Sequence, residues 1–120
     1  MKKSSEKILG GKELVDKIVK SAKDKLAENI VVLDIQGLPG TADWFIICES
    51  DNAVHNKAIA DAIVRDLNEQ GTRAWHEEGT EDGRWILIDY SDVVVHIMLP
   101  ELRSFYNLEE LWAAGKKIPL

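Results

Sequence analysis

One cysteine, three histidines and a few clustered carboxylates are the side chains here whose types could do covalent, metal or acid–base chemistry. Cys48 closes the apolar run Trp44-Phe45-Ile46-Ile47-Cys48. A thiol there is desolvated and kept from the thiolate form that a nucleophile needs, so it reads as core. His55, His76 and His96 could be imagined as a zinc triad, but no two share one strand or helix and their separations fit no local ligand pattern. Asp89 with Asp92, and Glu77-Glu78 with Glu81-Asp82, could hold Mg²⁺. Both sets fall at turns, where Asp serves the backbone and carboxylates are solvated. The glycines match neither a phosphate loop nor a dinucleotide fingerprint, and no G-x-S-x-G elbow occurs. The residue types therefore favour a binding protein, with no catalytic residue, metal or cofactor assigned.

His96 is the one chemical residue left with a question attached. Strand alternation turns it away from Val93, Val95 and Ile97 and onto the face of Val94 and Met98. It is either a satisfied internal group or part of a binding surface.

The elements that position these residues follow from periodicity. Leu14, Ile18, Ala22 and Leu26 recur every four residues, with Val15 and Val19 beside them, which predicts a helix over 11–29. Ile30 to Ile35 is a short β-branched strand, Gly37, Pro39 and Gly40 make a loop, and Trp44 to Cys48 is a second strand. Ser50, Asp51 and Asn52 can each cap the next helix, which carries Val54, Ala58, Ile59, Ala62, Ile63 and Leu67 on one face. An Asp61–Arg65 pair is available on it, and Gly71 supplies its left-handed stop. Strands follow at 72–76, 85–89 and 93–98, the last two joined by a tight turn at Tyr90-Ser91-Asp92. Pro100 then opens a tail of one or two short helices over 101–114. The fold class is α+β: a mixed five-stranded sheet with flanking helices.

The 120 residues suit a single domain over 1–120, with a flexible lead at 1–10 and a tail at 113–120. Hydrophobic residues make up 45%, enough for a real core, and the 30% charged residues rule for a well-solvated surface. No apolar run is long enough to span a membrane, no apolar run or cleavage site of a signal peptide is read behind Met1–Lys7, and a lone cysteine fits a reducing compartment, so a cytoplasmic location is expected. The net charge of −6 favours a basic protein partner over bare nucleic acid.

Four tryptophans raise the expectation of an interface. Trp75, Trp85 and Trp112 fall in the second half of the chain. The tail puts Leu102, Phe105, Tyr106, Leu108, Leu111 and Trp112 into twelve residues, more apolar surface than one-sided burial of a short helix needs. Arg103 beside Tyr106 reads as the polar rim of that interface.

Several segments together carry a family resemblance. They are Ala42-Asp43-Trp44-Phe45-Ile46-Ile47, Ala58-Ile59-Ala60-Asp61, Glu78-Gly79, and Trp85-Ile86-Leu87-Ile88-Asp89-Tyr90-Ser91-Asp92-Val93-Val94-Val95-His96. The closing set is Glu101-x-Arg103-x-x-Tyr106-x-Leu108-Glu109-x-Leu111-Trp112. In this order they resemble the Iojap/RsfS family of ribosomal silencing factors from about Leu14 to Trp112. The turn Glu49-Ser50-Asp51-Asn52 departs from the family's Thr-Gly pair and following serines, though the helix caps survive. The resemblance implies a nucleotidyltransferase-like fold without the catalytic carboxylates. It implies docking on the fourteenth large-subunit ribosomal protein, a steric block to subunit joining under nutrient limitation, and a possible homodimer. By that resemblance Trp85, Leu87, His96, Arg103, Tyr106, Leu108, Glu109 and Trp112 form the ribosome-facing surface. The alternative is a nucleotidyltransferase-like enzyme or an RNA-binding module acting in ribosome assembly, opposed respectively by the missing carboxylate pattern and by the acidic charge.

Overall fold

The computed structural model describes residues 10–38, 42–112 and 115–120. The expected flexible lead, apart from Gly10, lies outside the described residues, as do Pro39 and Gly40 of the first loop. Helix α1 (Gly11–Asp24) buries Leu14, Val15, Ile18, Val19 and Ala22, the stripe its spacing predicts. It stops at Asp24 and does not run on to residue 29. Leu26 turns left-handed (φ 64°). Its N–H donates to the Lys23 carbonyl at 2.9 Å, and that of Ala27 donates to Ala22 at 3.0 Å. This is a Schellman closure with a leucine where glycine is usual. The apolar period continues through Leu26, but that side chain is 73% exposed. Strand β1 (Glu28–Asp34) claims the following residues for the sheet.

Strand β2 (Trp44–Glu49) leads into helix α2 (Ala53–Glu69). Of the three candidate caps, Asn52 does the work, its side chain accepting the His55 N–H at 2.7 Å. Ser50, fully buried, donates instead to Asn56 Oδ1 at 2.6 Å, and Asn56 Nδ2 donates to the Gly83 carbonyl at 2.8 Å. That relay ties the first turn of α2 to the turn before β4. Asn56 is buried on this side of the helix, while Val54, which the spacing places on the packed face, stands 77% exposed. Arg65 lies 3.6 Å from Asp66, its neighbour, and not against Asp61. Gly71 (φ 85°) closes the helix as expected, with its own N–H on Asn68 and that of Thr72 on Leu67. Thr72 is thus consumed by the cap, and strand β3 runs over His76–Glu78, later than the expected 72–76.

Strands β4 (Trp85–Asp89) and β5 (Val93–Met98) form the expected antiparallel hairpin, and the tail contains α3 (Pro100–Tyr106) and α4 (Leu108–Leu111). A further strand, β6 (Lys116–Ile118), pairs antiparallel with β1, placing Ile118 opposite Val32. The mixed sheet therefore has six strands, one more than expected, in the order β3-β4-β5-β2-β1-β6, with β2 and β5 parallel and every other pair antiparallel.

Alternation along β2 and β5 divides the core in two. Trp44, Ile46, Cys48, Val93, Val95 and Ile97 face α1 and α2. Phe45, Ile47 and Met98 join Leu33 and Ile35 on the opposite face, where the tail packs. Both faces are covered, which is why β2 and β5 read as almost unbroken apolar runs. Each fully buried isoleucine contributes about 1.5–3 kcal/mol. No helix among the described residues is long and apolar enough to cross a membrane.

Candidate functional site

The hairpin register builds the site on the second sheet face. Trp85 stands beside Met98, Leu87 beside His96, and Asp89 beside Val94. Ile86 and Ile88, on the other parity, are fully buried under the helices. Trp85 and Leu87 thus share one half-buried face, as period-two alternation requires. Pro100 starts α3 directly after β5, and the Leu99 N–H donates to the Arg84 carbonyl at 2.9 Å, so the tail leaves the sheet beside Trp85. Asn107, left-handed at φ 48°, then bends the chain from α3 into α4. Leu102, Leu108 and Trp112 pack down on the second core.

Aromatic rings connect sheet and tail. The Trp85 and Tyr106 rings lie 4.9 Å apart, and Phe45 meets His96 at 5.0 Å and Trp112 at 5.4 Å, both edge-on. The Trp85 indole Nε1–H donates to His96 Nδ1 at 3.1 Å. Since Nδ1 accepts, the single proton of the neutral ring sits on Nε2, which is buried without a partner. Burial lowers the His96 pKa to about 4, so the imidazole is neutral at physiological pH. His96 is 5% exposed: it lies beneath the surface and orients the Trp85 indole from below.

Arg103 also lies inside, where the sequence places a polar rim. Its side chain is 9% exposed. Nε and Nη2 donate to the two Glu109 oxygens at 3.1 and 3.0 Å, and Nη1 donates to the Asn29 carbonyl at 2.7 Å and to Glu49 at 3.0 Å. Burial works against the guanidinium charge, but the Glu109 and Glu49 carboxylates outweigh it and its pKa is raised. The hydrogen bond from Arg103 in turn lowers the Glu109 pKa. The i+3 spacing from Arg103 to Tyr106 carries no sign of this, because Glu49 and Asn29 reach the site only through the sheet.

The outer surface consists of half-buried Trp85, Leu87, Leu108 and Trp112 with exposed Tyr106. Phe105 (79% exposed) extends it, its ring 5.0 Å from Tyr106, and Leu111 on α4 is 71% exposed; the sequence named both in the apolar tail but not among the ribosome-facing residues. Their signal was available in the surplus of apolar residues in the tail. Exposed carboxylates of Glu101 and Glu110 stand on α3 and α4, and that of Glu78 stands on β3, where Glu78 pairs with Leu87. Trp75, also 79% exposed, precedes the edge strand β3.

The residues considered for chemistry have separate occupations. Burial pushes the Cys48 thiol up to about 12, leaving it in the inert thiol form. His55 Nε2 lies 2.7 Å from the Lys25 carbonyl and His76 Nε2 lies 2.8 Å from Glu78, so the three histidines sit in three places. Asp89 accepts the Ser91 N–H at 2.7 Å, the turn role expected of it. No group of three or more metal-ligating side chains occurs among the described residues.

Comparison with known proteins places the family and the fold. Residues 10–120 match the family model described as "Ribosomal silencing factor during starvation". The chain is 38% identical to ribosomal silencing factor RsfS of Halalkalibacterium halodurans over 93% of its length and 96% of that protein. Identity to the Bacillus subtilis factor of the same name is 43% over 74% of this chain and 75% of that protein. A crystal structure of a Chromobacterium violaceum protein superimposes with a TM-score of 0.84 at 32% identity, covering 93% of this chain and 92% of that one.

Proposed function

This chain belongs to the ribosomal silencing factor family, and from that membership we propose that it silences ribosomes by docking on the large subunit. It binds through the fourteenth large-subunit ribosomal protein and sterically blocks joining of the small subunit, lowering translation when nutrients are short. It acts by occupying space, in the cytoplasm, with no cofactor and no bond made or broken. The observation that carries this reading is the apolar platform of Trp85, Leu87, Tyr106, Leu108 and Trp112, three of them aromatic anchors, partly open to solvent. Phe105 and Leu111 extend the contact, while His96, Arg103 and Glu109 support it from beneath. The exposed carboxylates around it and the net charge of −6 suit a basic partner. The chain also pairs with a second copy of itself, as the family resemblance implies.

Sedimentation of purified subunits through sucrose gradients, with and without the protein, tests this. Co-migration with the large subunit and fewer joined ribosomes are expected, and Leu87→Ala or Tyr106→Ala should reduce both. A protein that stays at the top of the gradient and leaves joining unchanged would refute the reading.

A further inference from the structure

Resting on that reading, we propose that Arg103 is a positioning residue of the docking face, fixing the tail over the sheet without itself touching the ribosomal protein. The two tail helices have seven and four residues, too short to hold an orientation by their own hydrogen bonds. They meet at the left-handed Asn107, a single-residue bend with no side-chain cap on α4. Arg103 lies on one side of that bend and Glu109 on the other. Their fork-to-fork pairing, at 3.1 and 3.0 Å, sets the angle between the helices. The remaining donor, Nη1, fastens the pair to the sheet through the Asn29 carbonyl at the start of β1 and Glu49 at the end of β2. Asn29 Nδ2 donates to the other Glu49 oxygen at 2.9 Å, closing the ring.

The docking anchors sit at the two ends of this clamp. Tyr106 follows Arg103 by one helical turn and lies against Trp85; Trp112 follows Glu109 by about one turn and lies against Phe45. A change in the bend therefore moves both rings on the face. Arg103, with its donors directed inward and 9% of its side chain exposed, is poorly placed to meet a partner. A lysine keeps the charge but cannot reproduce the planar fork.

The test is Arg103→Lys, measured as affinity for purified large subunits and as the indole N–H resonances of Trp85 and Trp112 in the free protein. We expect affinity to fall about tenfold, in the range for losing a charge-assisted pair, and both resonances to move. Arg103→Lys combined with Glu109→Gln should weaken binding no more than the stronger single change, because both break one clamp. Wild-type affinity with unmoved resonances, or losses that multiply in the double variant, would overturn the proposal. If Arg103→Lys does not fold, Glu109→Gln, which leaves Glu49 and Asn29 on the guanidinium, is read by the same two measurements. Wild-type protein that fails to bind large subunits would overturn the docking reading alone; the indole resonances then decide the clamp.

Discussion

Acidification should loosen this fold through His96 before it reaches most of the carboxylates. The imidazole is 5% exposed and held neutral, with burial lowering its pKa from 6.5 to about 4. The unfolded chain therefore binds a proton between those values that the folded chain refuses, so stability rises with pH across that window. Full stability is present above about pH 6.5 and is lost as the pH falls toward 4. The linkage gives a loss of about 2 kcal/mol by pH 5 and about 3 kcal/mol by pH 4. Protonation also places a proton on Nδ1, where the Trp85 indole N–H already points, setting donor against donor. Urea unfolding followed by far-ultraviolet circular dichroism, at half-unit steps from pH 7 to pH 4, measures the slope. His96→Asn supplies the control, since its amide oxygen can accept the indole N–H and it does not titrate. Equal slopes above pH 4.5 in the two proteins would refute the reasoning. Below that the Arg103–Glu109 pair contributes in the same direction, because a carboxyl held below its usual range loses stability only as it protonates.

Trp85→Phe keeps a ring in place but removes the indole donor and leaves the buried His96 Nδ1 unpaired, so it should cost about 1–2 kcal/mol. An unchanged urea midpoint would show that the bond contributes nothing. Gly79→Ala should cost about 2–4 kcal/mol, because the position is left-handed (φ 76°) and a methyl there collides with the Trp85 carbonyl oxygen. A well-expressed variant melting within a degree of wild type would contradict this. Leu26→Gly should stabilise by about 0.5–1 kcal/mol, since relief of the left-handed strain at an exposed site outweighs the added freedom of the unfolded chain. A lower thermal midpoint would mean that the leucine has contacts outweighing its backbone strain.

Features written in neighbouring residues were legible. The apolar runs of β2 and β5, the cap at Asn52 and the stop at Gly71 each need only a local pattern and appear where that pattern puts them. The pairing of Trp85 with Leu87 on one face followed from period two alone. Features that depend on a distant partner were not legible. Nothing in Lys116-Lys117-Ile118 signals a strand; β1 makes it one by offering its free edge. Val54 keeps helical spacing with the packed face, yet it faces solvent, while Asn56, held by Ser50 and the Gly83 carbonyl, is buried beside it.

The candidate site divides along the same line. By itself the sequence determined a small acidic domain with two apolar strands, a hairpin carrying Trp85 and Leu87, and an over-apolar tail, because hydrophobic period and turn chemistry act between neighbours. Only the tertiary structure decided which polar residues face outward. His96 is drawn beneath Trp85, and Arg103 is turned inward by carboxylates from β2 and α4, since a guanidinium leaves water only where several acceptors converge. That convergence spans Asn29 to Glu109 and exists only once sheet and tail have come together.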